Sequence, residues 1–220
     1  MKTFQELQEG LYDPNIFKAI FLAGGPGSGK SYVARKATGG TGLKSVNSDE
    51  AFEHLLKKAG LSLKMPPEEF ERKEIARKRA KDITVKKHAN FVEGRLGMII
   101  DGTGKNAAKI LIQKNMLDEL GYDTYMIFVN TSLDVALERN ALRPRSLAEP
   151  MVVKSWKEVQ SNIGKFSNMF RKGFIVVDNN DASEDEFNKI WKRVQGLLRK
   201  KVTNTRAQNW IAMELAKKKR

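Results

Sequence analysis

Short apolar runs separated by longer amphipathic or heavily charged stretches set the pattern of this chain. Phe17 to Ala23 is an apolar run of strand length that stops at a glycine cluster, as a buried strand should. Four further runs, Leu43 to Val46, Met98 to Ile100, Thr124 to Val129 and Phe174 to Val177, read the same way. Between them the spacing predicts helices over 50–60, over 68–97 after the Pro66/Pro67 break, and over 107–120 ending at Gly121. Others run from Ser132, a capping residue, to Leu142, open at Pro150, and start near Ser183 with Glu186 in capping-box position. Strands alternating with helices imply an α/β fold, a parallel sheet covered on both faces. There is no internal repeat and no low-complexity linker. The expected organisation is a lead over 1–16, a core over 17–182, and a final helix with a basic helical extension over 183–220.

Composition narrows the classes. The 220 residues suit one α/β domain, and 40% hydrophobic with 30% charged residues is ordinary for a globular chain. The absence of cysteine excludes a disulfide framework, a thiolate metal site and a cysteine nucleophile; two histidines exclude a His-rich metal centre. No apolar run approaches the roughly 20 residues of a membrane span. The N-terminus lacks the features of a secretory signal, so a reducing cytoplasm is expected.

The net charge of +14 is unevenly spread, with eleven Lys or Arg against the single Glu214 from Lys189 to Arg220. Two readings stay open for that segment. It is either a solvated helix with a frayed basic end, or an electrostatic contact to nucleic acid or an acidic protein. Trp191 falls on an apolar pattern with Phe187, Ile190, Val194 and Leu197/Leu198 and is expected in the core; Trp210 either docks the tail or meets a partner.

The sharpest signal is Gly24-Gly25-Pro26-Gly27-Ser28-Gly29-Lys30-Ser31. It matches G-x-x-x-x-G-K-[ST], follows a predicted strand and opens a predicted helix, as a phosphate-binding loop must. Glycines there let successive N–H groups turn inward toward phosphate oxygens, and the helix start adds a favourable dipole. Gly25, Pro26, Gly27, Ser28, Gly29, Lys30, Ser31 and Tyr32 are therefore the candidate nucleotide contacts. Lys30 should reach the β- and γ-phosphates, and Ser31 should ligate Mg²⁺.

In a parallel sheet, ligands sit where the strands end. Asp101 follows Met98-Ile99-Ile100 in the form of a Walker B strand, placing a carboxylate near Mg²⁺ or its waters. Asp49 ends the second run, where it can orient an attacking hydroxyl and accept its proton; alternatively it caps the helix from Glu50. Asp178 to Asn180 border the expected base site, although a turn of this composition needs no function. Phosphoryl transfer relies on positioned cations, and Arg139, Arg143 and Arg145 lie where a lid is expected. A solvated helix end with cations at its negative pole is the competing account. The helix from Glu68 to Arg95 is the expected acceptor-side cover, and His54 and His88 are expected at the surface.

With these residues in place, the chain resembles the zeta-toxin and polynucleotide-kinase branch of P-loop kinases. The resemblance rests on G-G-P-G-S-G-K-S at 24–31, V-N-S-D-E at 46–50, I-I-D-G-T-G-K-N at 99–106, L-G-Y-D-T at 120–124 and R-N-A-L-R at 139–143, and covers about 17–180. It implies a five-stranded parallel sheet of P-loop NTPase type, ATP and Mg²⁺, Asp49 as general base, Lys30 with Arg139 and Arg143 as phosphoryl stabilisers, and a hydroxyl acceptor. Zeta toxins phosphorylate an amino-sugar nucleotide and polynucleotide kinases a nucleic-acid end. One departure stands out: Asp49 is followed by Glu50-Ala51-Phe52, without the acceptor-side arginine of polynucleotide kinases. More loosely, the set is similar to P-loop kinases of large tailed bacteriophages. The alternatives from other classes are a nucleic-acid-dependent ATPase or binding module using the basic tail, and an assembly protein that keeps a nucleotide site.

Overall fold

The computed structural model describes residues 10–62, 67–143 and 146–218. Residues 1–9 of the lead, Pro66 of the expected helix break, Arg145 of the expected lid, and Lys219 and Arg220 of the basic end lie outside the described residues.

Five strands, β1 (Lys18–Ala23), β2 (Lys44–Val46), β3 (Met98–Asp101), β4 (Asp123–Asn130) and β5 (Phe174–Asp178), form one sheet in the order β2-β3-β1-β4-β5. Every pairing is parallel. The central strand β1 is buried along its whole length, and its residues alternate between two cores. Ala19, Phe21 and Ala23 face one side, Ile20 and Leu22 the other. This is why the run reads as continuously apolar rather than alternating. At its start the buried Lys18, 1% exposed, is ion-paired at 2.5 Å with Asp123 at the start of β4.

The helices, among the described residues, are α1 (Lys30–Thr38), α2 (Ser48–Lys58), α3 (Phe70–Glu93), α4 (Ala107–Leu120), α5 (Leu133–Ala141), α6 (Glu149–Gln160), α7 (Ile163–Phe170), α8 (Glu184–Leu198) and α9 (Thr205–Lys217). One sheet face packs α4, α6, α7 and α9 through Ile110, Leu117, Val159, Phe166, Phe170 and Ala207. The other packs α1 and α8 through Val33, Ala37, Phe187, Val194 and Leu198. The α2–α3 pair has a small core of its own around Phe52, Leu56, Ala76 and Ala80. This is the α/β P-loop NTPase architecture, with helices on both faces of the sheet.

Local chemistry sets the ends. Asn106, Ser132 and Ser183 cap α4, α5 and α8 with their side chains, Ser183 in a full capping box with Glu186. Gly121 ends α4 at φ 105, a conformation that favours glycine. Three expectations are corrected. The cap of α2 is Asn47, whose side-chain oxygen accepts the Asp49 N–H; the helix starts at Ser48, so Asp49 sits inside its first turn. Trp191 is 37% exposed because its neighbours Phe187, Val194 and Leu198 already fill the inner face of α8; its indole N–H points to the Gly39 carbonyl at 3.4 Å. His88 is half-buried on α3, with a buried Nε2 that has no hydrogen-bond partner.

The basic C-terminal segment is docked. Trp210 meets the edge of Phe17 with ring centroids 5.5 Å apart, Ala207 is fully buried, and Asn204 donates to the Asp118 carbonyl at 3.1 Å. Among the described residues no helix is long and apolar enough to cross a membrane.

Candidate active site

The P-loop connects the end of β1 to α1, and its shape is imposed by close approach. Gly27 and Gly29 have φ of 75 and 74, which a side chain would strain. A Cβ on Gly27 would lie 2.0 Å from the Ala136 carbonyl oxygen of α5, and one on Gly29 would lie 2.3 Å from Nδ2 of Asn179. Helix α1 starts without a side-chain cap, so its first N–H groups remain available to an anion. The Ser28 hydroxyl is buried and has no hydrogen-bond partner.

Three carboxyl-end loops hold the P-loop. From β3, Gly102 donates to the Leu22 carbonyl at 3.2 Å and the Thr103 carbonyl accepts from Gly24 N–H at 3.1 Å. That segment is pinned in turn by the buried Asn162, which donates to the carbonyls of Gly104 and Lys105 at 3.0 and 2.8 Å. From β5, the Asn179 amide donates to the Ser28 carbonyl at 2.8 Å. The fork of Arg139 donates to the carbonyls of Asn179 and Asn180, each at 2.6 Å. From the end of β4, the Thr131 carbonyl accepts the Trp156 indole N–H at 2.9 Å.

Lys30 and Asp101 come together at the mouth. The ammonium donates to Oδ1 of Asp101 at 2.5 Å, and Oδ2 accepts from the Asn47 amide at 2.8 Å. Asn47 uses its other end on the backbone of Asp49 at 2.8 Å. One side chain therefore links the Walker-type carboxylate to the segment that carries the candidate base. Asp49 is exposed in the first turn of α2, and Ser31 and Tyr32 are exposed in the first turn of α1. The Tyr32 ring packs edge-on against Phe187, with centroids 5.2 Å apart. Arg143 is exposed just past α5.

The donor set fits Mg²⁺, a hard cation that prefers oxygen ligands, keeps several waters and shares substrate phosphates. Ser31 and Asp101 offer a hydroxyl and a carboxylate. Among the described residues no group of three or more His, Cys, Asp or Glu could hold a metal by itself.

Asn47 and Asn162 are residues that the motif search passes over as site components, and Asn179, expected only to border the base site, also holds the P-loop. Each contacts a partner at least 54 positions away, on another strand or loop. A lone asparagine has no spacing signature; only its place just after an apolar run marks Asn47 and Asn179.

Among solved structures the chain is similar to a candidate kinase from Chloroflexus aurantiacus, with TM-score 0.54 and 15% identity over 84% of this chain and 97% of that one. It is also similar to a shikimate kinase from Bacteroides thetaiotaomicron, with TM-score 0.50 and 14% identity over 83% and 99%. At these identities the likeness is one of fold, in agreement with the α/β P-loop NTPase architecture. No curated protein matches the chain in sequence. The match that identifies a family runs from within β1 through the P-loop, Asp49, Asp101 and Arg139 into α7: over residues 20–164 the chain belongs to the AAA domain family.

Proposed function

We infer that the protein is an ATP-dependent phosphotransferase that moves the γ-phosphoryl group to a hydroxyl of a nucleotide-linked sugar, a nucleoside or nucleotide, or a nucleic acid. The observation that carries this reading is the Lys30–Asp101–Asn47–Asp49 chain of contacts. It ties the phosphate end of the site to the backbone of Asp49, whose side chain is exposed, which supports Asp49 as the base. A hydrolase needs a group that holds water at the γ-phosphate; here the carboxylate-bearing helix α2 opens instead on the α2–α3 cover, the side on which an acceptor would bind.

In this reading the P-loop N–H groups and Lys30 bind the β- and γ-phosphates, and Tyr32 flanks the nucleotide. Asp49 accepts the proton of the acceptor hydroxyl as its oxygen attacks the γ-phosphorus and the bond to the β,γ-bridging oxygen breaks. Ser31 and Asp101 would hold Mg²⁺, which supplies charge neutralisation at the phosphates. Arg143, exposed and without an ion pair among the described residues, is the arginine assigned to the migrating phosphoryl group. The acceptor-side blocks at 46–50 and 99–106 support the zeta-toxin and polynucleotide-kinase branch. Glu50-Ala51-Phe52 after the base weighs toward a small-molecule acceptor, as do the kinase-like neighbours.

The test is γ-phosphoryl transfer from labelled ATP with Mg²⁺ across UDP-linked sugars, nucleosides, nucleoside monophosphates, and 5′-hydroxyl DNA and RNA. A labelled product absent with Lys30→Ala is expected. Release of free phosphate alone, stimulated by DNA or RNA, would replace this reading with a nucleic-acid-dependent ATPase.

A further inference from the structure

The end of the sheet opposite the P-loop carries a concentration of charge that phosphoryl transfer does not use. Between Phe187 and Met213 the chain holds seven Lys or Arg and no Asp or Glu. On α3, by contrast, eight cations are interspersed with four acids. Unrelieved like charge on a fold costs stability by self-repulsion, so a segment that keeps it invites a counter-charged partner.

The fold brings five of these cations, with Arg171 and Lys172, to one rim. Helix α8 descends one face of the sheet and α9 packs on the other, so the 199–204 link passes beneath the strand starts with Arg199, Lys200 and Lys201 exposed. Arg193 donates to the Phe174 carbonyl at the start of β5 at 3.2 Å, and Arg206 to the Glu119 carbonyl near the end of α4 at 2.5 Å. Arg171 and Lys172, exposed in the turn before β5, stand on the same rim. None of these seven side chains forms an ion pair among the described residues.

A recess of about 390 Å³ opens between them, lined by Asp118, Asp123, Thr124, Tyr125, Lys200 and Lys201 among others. The recess is open to solvent rather than enclosed. A Cβ on Gly173 would lie 3.0 Å from the Tyr125 ring, so the Arg171–Gly173 turn shares a wall with the recess. Its two carboxylates already have partners: Asp123 is paired with Lys18 and accepts from the Thr203 hydroxyl at 3.3 Å, and Asp118 is paired with Lys114 and accepts from Thr124 at 2.7 Å. Glu119 is the acid on the rim without such a partner, against seven cations.

We propose that this rim binds single-stranded nucleic acid, with the phosphates along the Arg171–Lys172, Arg193 and Arg199–Lys201 cations and one unstacked nucleotide in the Tyr125 recess. The part of the half-buried Tyr125 ring that reaches the recess, with hydroxyls and carboxylate acceptors beside lysines, suits a splayed base with its phosphate. A duplex keeps its bases stacked and would leave the recess unused. An acidic polypeptide would meet the cations but has no ring for the recess. The site is independent of the phosphoryl-transfer reading, because it lies at the opposite end of the strands.

The experiment is fluorescence anisotropy of a labelled mixed-sequence single-stranded oligonucleotide, as DNA and as RNA, titrated with the full chain across a salt series. Binding is expected, with Lys30→Ala binding equally well. The pair Lys200→Glu and Lys201→Glu should weaken it at least tenfold and reduce the salt slope by about 1.4. Arg171→Gln with Lys172→Gln, on a separate element, should weaken it several-fold, so misfolding of one variant does not remove the test. Unchanged binding in either folded variant would overturn the proposal. So would duplex binding as tight as the strand, or displacement of the strand by polyglutamate at equal charge.

Discussion

The side-chain amide of Asn179 donates to the carbonyl oxygen of Ser28 at 2.8 Å, joining the end of β5 to the P-loop across 151 positions of sequence. Asn179 is 6% exposed, so losing its amide leaves a buried carbonyl unsatisfied, at a cost of about 1–3 kcal/mol. Asn179→Ala should raise KM for ATP about five- to 150-fold while kcat changes little, because that cost falls on the nucleotide-binding shape of the loop. Steady-state kinetics with saturating acceptor check the split.

The two arginines of R-N-A-L-R have different surroundings, and they should fail differently. Arg139 spends its fork on the carbonyls of Asn179 and Asn180, so Arg139→Ala should raise KM for ATP and lower Tm. Arg143 is exposed and forms no ion pair among the described residues, and the proposed mechanism gives it the migrating phosphoryl group. Arg143→Ala should lower kcat at least tenfold, with Tm within a degree or two of the parent protein.

Asn47 holds Asp101 with one end of its amide and the Asp49 backbone with the other. Asn47→Ala should lower kcat ten- to a hundred-fold through misplacement of both, with nucleotide affinity retained. Asn47→Asp keeps the cap but sets a second carboxylate against Asp101 and should be at least as slow. Binding of a fluorescent ATP analogue beside turnover measurements separates positioning from a folding defect.

At Gly27 the backbone stands at φ 75 with no room for a side chain, since a Cβ would lie 2.0 Å from the Ala136 carbonyl oxygen. The left-handed conformation alone costs alanine about 1–2 kcal/mol. Gly27→Ala should therefore lower Tm by about 4 °C or more in a domain of this size and abolish detectable nucleotide binding. Gly164, on α7, has nothing within 4 Å of an added Cβ, and Gly164→Ala is the control expected to keep or raise Tm.

Burial pushes the His88 pKa below its ordinary value. Its neutral form is therefore favoured in the folded protein, and protonation favours the unfolded chain. The stability in question is fully present above the unfolded pKa of about 6.5 and falls as pH drops from there toward the lower folded value. Thermal unfolding followed from pH 8 to 5 should show this loss, and His88→Gln should remove that component of it.

The readable parts of this protein were the local ones. G-G-P-G-S-G-K-S forms a loop through neighbouring backbone preferences, and each buried parallel strand is a continuous apolar run, so the P-loop, all five strands and Asp101 stood in the sequence. The contacts of Asn47, and of Asn179 beyond its place at the expected base site, did not, because their partners lie on other strands and an amide side chain leaves no periodic trace. The break between α6 and α7 at Ser161–Asn162 has no proline to announce it. It exists because Asn162 turns inward to hold Gly104 and Lys105. Trp191 and Trp210 were hardest to place: both lie on apolar patterns, and only competition for space settles that Trp191 stays outside while Trp210 closes onto Phe17.

Phe17 itself stands at φ 56, a left-handed conformation unusual for a bulky residue, immediately before the central strand. Its ring is bracketed by Tyr122 and Trp210, with the Arg95 guanidinium 6.0 Å away. On the ribosome this has a temporal meaning. Strand β1 emerges well before Trp210, so the bracket around Phe17 stays open while everything between them is made. The nucleotide-binding end has all its parts once Asn180 is out. The strained entry to β1 must wait for α9, and until then a nascent chain shows chaperones an exposed aromatic cluster at the foot of the sheet.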